Sequence, residues 1–70
     1  MDTDDLKRKF AANVRRYRKA RQITQADLAA MAETDDRYIQ NIEAGERMPG
    51  VIIAYRIAKA LGVTVEELFC

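Results

Sequence analysis

Leu6, Phe10, Val14 and Tyr17 recur at steps of four, four and three residues, a spacing that a helix gathers into a single apolar stripe. The stripe predicts a first helix from about Asp4 to Arg21, with Asp2, Asp4 and Asp5 favourably placed near its positive end. Val51, Ala54, Ile57, Ala58 and Leu61 repeat the pattern between Pro49-Gly50 and Gly62, so a second long helix is expected there, closed by Gly62 in the left-handed conformation. With one Pro, three Gly, 49% apolar and 33% charged residues, nothing opposes an all-α chain with its own core. Seventy residues lie near the lower limit for a self-sufficient core, so help from a second subunit is anticipated.

Caps divide the middle of the chain. Thr24-Gln25-Ala26-Asp27 reads as a capping box opening a helix from Gln25 to about Ala32 that buries Leu28, Ala29, Met31 and Ala32. After the break at Glu33-Thr34, Asp35 is an N-cap for a third helix, Asp36 to Ala44, which Gly45 ends in the left-handed region. A second capping box, Thr64 to Glu67, starts a last short helix holding Leu68 and Phe69. Five helices in one domain, residues 1–70, are therefore expected.

Several functions are disfavoured. No run of eighteen apolar residues is present, and MDTDDLKRKF is too charged for a secretory signal, so no membrane span and a cytoplasmic location are expected. A lone Cys70 closes no intrachain disulfide. Without histidine or a Gly-rich phosphate loop, neither a metal site, a cofactor, a small-molecule ligand nor enzymatic activity is anticipated. Charge is unevenly placed: Lys7 to Arg21 holds eight bases and no acid, which suits a nucleic-acid face and equally the solvated side of a helix.

Across Gln25 to Ala44 the chain reads QADLAAMAETDDRYIQNIEA, which resembles the Cro/repressor (Xre-type) helix-turn-helix family. Gln25 stands at the first position of that pattern, small Ala29 at the fifth, and Ile39 and Ile42 at the fifteenth and eighteenth. FAANVRRYRKARQITQ before it, and IEAGERMPG and YRIAKALGVTVEELF after it, are similar to the remaining helices. The resemblance implies a five-helix lambda-repressor-like domain in which helices 2 and 3 form the helix-turn-helix. It implies a regulator that binds double-stranded DNA, with helix 3 in the major groove. The size is similar to stand-alone Cro-like repressors and to controller proteins of restriction-modification systems.

On a helical wheel Ile39 and Ile42 face the core, while Arg37, Gln40, Asn41 and Ala44 face outward. Arg37 and Asn41 are the expected base readers, because a guanidinium fork matches guanine and an amide matches adenine; Gln40 joins them. Asp36 has two readings, a charge favourable at a helix start or an acceptor for cytosine N4. By the family's pattern Gln25 bonds a phosphate, and Arg47 is placed like residues that clamp the backbone. The resemblance also implies an ion pair between Glu43 and Arg18, while Gln22, Glu33 and Thr34 depart from the family's usual residues in the turns. The outward stripes Arg8/Arg15/Lys19 and Lys9/Arg16 are expected to lie apart from the reading face.

Ile52 and Ile53 occupy positions commonly polar in the family, and with Val65 and Phe69 they form a predicted apolar patch. Family members commonly dimerise at this end, which implies a homodimer on a palindromic operator. The rival reading is a protein-interaction or antitoxin-like module in which an acidic helix 3 surface meets a basic protein.

Overall fold

The computed structural model describes residues 3–70; Asp2, expected at the start of the first helix, lies outside them. Four α-helices follow in order, α1 (Thr3–Ala20), α2 (Gln25–Met31), α3 (Asp36–Glu43) and α4 (Val51–Leu61), with a 3-10 turn at Glu66–Phe69 and no strand among the described residues. The fifth helix anticipated from Thr64 is thus a 3-10 turn. Both bonds of its capping box form, Glu67 N to Thr64 Oγ1 at 3.1 Å and Thr64 N to Glu67 Oε1 at 2.9 Å. The segment is only four residues long, and its Leu68 amide bonds the Val65 carbonyl three residues back rather than four.

Each helix starts and stops for identifiable reasons. Thr24 and Asp27 exchange the two capping-box bonds at the head of α2, and the Asp35 carboxylate accepts from the Tyr38 amide at 2.8 Å at the head of α3. All four α-helices end alike: one amide bonds three residues back and the next bonds five back, around a residue with positive φ. At α3 and α4 that residue is glycine, Gly45 (φ 78°) and Gly62 (φ 74°). At α1 and α2 it is Gln22 (φ 59°) and Glu33 (φ 58°), which must hold a Cβ in the left-handed region.

The core lies where the helices meet: Phe10 and Val14 of α1, Leu28 and Ala29 of α2, Ile39 and Ile42 of α3, Ile57 and Leu61 of α4, and Leu68. The centre of the predicted α1 stripe is fully buried, while Leu6 and Tyr17 at its ends are half-buried. Two residues expected inside are outside. Met31 is 51% exposed because α2 meets its neighbours through the side that carries Leu28, Ala29 and Ala32, and position 31 falls off that side. Val51 is 84% exposed because it is the first residue of α4, and the inward-facing contacts of that helix begin at Ala54.

Polar ties fasten the periphery. Buried Asn13 donates to the carbonyls of Leu68 (2.9 Å) and Cys70 (3.1 Å), holding the 3-10 turn against α1. Arg21 Nε donates to the Leu61 carbonyl at 2.9 Å, satisfying an end carbonyl of α4. No helix among the described residues is long and apolar enough to cross a membrane.

Candidate nucleic-acid interface

The third helix has two chemically distinct sides. Ile39, Ile42 and Glu43 are buried, whereas Asp36, Arg37 and Gln40 are exposed and Asn41 is half-buried. The side chains of Asp36, Arg37, Gln40 and Asn41 make no hydrogen bond or ion pair among the described residues. Asp35, not Asp36, caps the helix, so the Asp36 carboxylate stands in the first turn without a backbone bond to make. Arg37 and Asn41 line a cleft of about 320 Å³ with Asp35, Tyr38, Glu46 and Arg47. The Arg47 guanidinium lies 5.9 Å from the Tyr38 ring centroid, which keeps that cation on the same side as Arg37. Tyr38 was not singled out from the sequence. A wheel places it beside the outer face, but nothing in the spacing shows that the loop returns Arg47 over its ring.

Behind that surface sits a buried ionic joint. Glu43, 3% exposed, accepts from Arg18 Nε through Oε2 at 2.7 Å and from Arg18 Nη2 through Oε1 at 3.0 Å. Arg18 also donates through Nη1 to the Ile23 carbonyl at 2.9 Å, so one guanidinium joins α1, the turn before α2, and α3. The hydrogen bond to Glu43 raises the Arg18 pKa above its ordinary value; burial opposes this and the Glu43 charge adds to it. The Gln25 side chain, half-buried, donates from Nε2 to Glu43 Oε1 at 3.1 Å.

The basic run of α1 is mostly spent within the molecule. Lys7 pairs with Asp4 (3.8 Å), Arg8 with Asp5, Arg16 with Asn13 Oδ1 (2.9 Å) while lying over the Tyr17 ring, and Arg18 and Arg21 as described. Arg15, expected on an outward stripe apart from the reading face, is exposed and donates to the Glu43 carbonyl at the C-terminal end of α3, where a cation is favourable. Its place one turn before Arg18 on the same flank of α1 was the signal available for it. Lys9 and Lys19 are the two bases of the run without a partner among the described residues.

At the other end of the molecule the predicted patch divides. Ile52 is 63% exposed, and Val51 and Tyr55 stand with it on the outside of α4. Ile53 and Val65 are half-buried, and Phe69 turns inward to pack on Phe10 at a centroid distance of 5.2 Å. The outward apolar surface is thus carried by α4 more than by the 3-10 turn.

Taken together, these features define a small helical protein that presents the polar side of one short helix outward. The helix-turn-helix family matches residues 14–68, and the chain belongs to it. It is 34% identical over 64 residues to the HTH-type transcriptional regulator y4dJ of Sinorhizobium fredii, covering 91% of this chain and 83% of that protein. It is 31% identical over 67 residues to the control protein C.MunI of Mycoplasma sp, covering 94% and 90%. Its fold is similar to the restriction-modification controller protein C.AhdI from Aeromonas hydrophila, with a TM-score of 0.89, 29% identity, and 99% and 100% of the two chains covered. The family is one of transcription regulators rather than a class of enzymes.

Proposed function

We propose that this chain, a DNA-binding transcriptional regulator by its family, forms its helix-turn-helix from α2 and α3 and reads duplex DNA with α3 in the major groove. Arg37, Gln40 and Asn41 face base edges, with Asp36 at the leading end of the helix, and Gln25 and Arg47 contact phosphates. The observation that carries this reading is the division of α3. Its inner side is locked into the fold by Ile39, Ile42 and the Glu43 joint. Its outer side displays donors and acceptors that nothing in the described chain uses.

Residues 1–70 act as one domain, and two copies associate through the outer side of α4, where Val51, Ile52 and Tyr55 are exposed beside half-buried Ile53 and Val65. A two-fold pair of this kind suits a palindromic operator with half-sites one helical turn apart.

The test is titration of duplex DNA at several salt concentrations. A DNA reader loses affinity steeply as salt rises, and Arg47→Ala should reduce the magnitude of the log–log slope by about one, the share of one phosphate contact. Two chains per palindromic duplex are expected; one chain per duplex would remove the dimer. Absence of duplex binding at low salt would instead favour a protein partner for the α3 surface.

A further inference from the structure

We infer that Glu43 is a positioning residue for the Gln25 side chain, fixing which edge of that amide is offered to the DNA backbone. The inference rests on the reading of Gln25 as a phosphate contact.

A carboxylate accepts hydrogen bonds and donates none, so the part of the Gln25 amide within 3.1 Å of Glu43 Oε1 is its NH2 group. One hydrogen of that group is spent on Glu43 and the second remains available on the same nitrogen. A phosphate oxygen likewise accepts only. A freely turning glutamine offers its carbonyl as readily as its donor, and the carbonyl repels a phosphate. By holding the nitrogen, Glu43 removes the unproductive orientation before DNA arrives, so less ordering has to occur on binding.

Burial makes the hold firm. Glu43 is 3% exposed, and Arg18 grips both of its oxygens at 2.7 and 3.0 Å, so the carboxylate cannot swing away with Gln25. The same grip answers the electrostatic objection to an acid behind a phosphate contact. The Arg18 charge, fixed against Glu43, compensates the carboxylate that would otherwise repel the backbone. The ion pair that joins α1 to α3 thus also sets the edge of α2 that faces DNA.

The experiment compares duplex affinity for the unmodified chain, Gln25→Ala, Glu43→Gln and the double variant, each checked for folding. Glu43→Gln keeps the shape and an acceptor for Arg18 but lets two amides face each other in either sense. Gln25→Ala is expected to weaken binding by about tenfold, the scale of one hydrogen bond to a charged group. Glu43→Gln is expected to weaken it by about twofold, because Gln25 then offers its donor only about half of the time. The double variant should fall by about tenfold too, because the second change removes nothing further. Losses that multiply, to about twentyfold, would overturn the positioning role while leaving DNA binding intact. If the unmodified chain binds no duplex, the phosphate reading itself fails and the inference with it. Should Glu43→Gln not fold, side-chain amide NMR of the unmodified chain decides. The two Gln25 protons should be well separated and slow to exchange compared with those of exposed Gln22 and Gln40. Gln25 signals indistinguishable from those two would overturn the inference.

Discussion

The inner and outer sides of α3 occupy the same eight residues and do opposite work. On the inner side Ile39 and Ile42 are fully buried, and the one buried charge, Glu43, accepts from two residues on two other segments. On the outer side Asp36, Arg37 and Gln40 are exposed and uncommitted among the described residues. An eight-residue helix does not persist in water alone, so the inner side must hold it in place for the outer side to be presented at all. Substitutions inside should therefore be read in stability, and substitutions outside in binding.

The largest expected effect tests that division directly. Glu43→Ala strips the partner from Arg18, whose side chain is 13% exposed, and leaves that largely covered charge with only the Ile23 carbonyl to accept from it. Losing one member of a buried pair costs about 3 to 5 kcal/mol. Arg37→Ala on the outer side should stay within about 0.5 kcal/mol of the unmodified protein. Urea denaturation of both measures the contrast, and similar losses would erase the distinction between the two sides.

Next in size is a substitution that pushes on the inner side from across the joint. Ala29 of α2 is 1% exposed and belongs to the same cluster as Ile39 and Ile42. Ala29→Leu forces three further carbons into that space and should cost about 1 to 3 kcal/mol by overpacking. A thermal midpoint equal to that of the unmodified protein would show that α2 and α3 are less closely seated than the burial of Ala29 indicates.

How far the sequence reaches follows the same line. The apolar stripes of α1 and α4, the capping boxes at Thr24 and Thr64, the Asp35 cap and the glycines that end α3 and α4 are local features, and local features are readable one segment at a time. What was not readable depends on a second segment. A wheel puts Val51 on the inward stripe of α4 but cannot show that the core begins one turn later. It counts Arg15 as outward without knowing that the end of α3 lies against it, and it offers Phe69 to solvent without knowing that Phe10 receives it. Of the candidate site, the residue types on the outer side of α3 follow from spacing. The cleft that brings Arg47 and Tyr38 to them, and the Gln25 to Glu43 bond, depend on chain folding across 9 and 18 residues.

The smallest expected effect concerns the turn that sets the angle between α2 and α3. Glu33 stands there with φ 58°, in the same hydrogen-bonded helix ending that Gly45 completes for α3. A side chain held left-handed costs roughly 1 to 2 kcal/mol, so Glu33→Gly should release that strain. Glycine also gains freedom in the unfolded chain, which returns roughly 0.5 to 1 kcal/mol of the benefit. The contact between Glu33 and Arg56, at 3.9 Å with the two side chains 71% and 40% exposed, is screened by solvent and does not reverse the balance. The net expectation is a stabilisation of about 0.5 to 1 kcal/mol, a rise of roughly 2 to 8 °C in Tm for a domain of this size. Gly45→Ala supplies the opposite sign: nothing lies within 4 Å of the added methyl group, so any loss it causes comes from the backbone and not from a collision. A lower Tm for Glu33→Gly, alongside the expected loss for Gly45→Ala, would mean that Glu33 itself contributes to seating the turn. The outer side of α3 would then owe its orientation partly to a residue outside both of its faces.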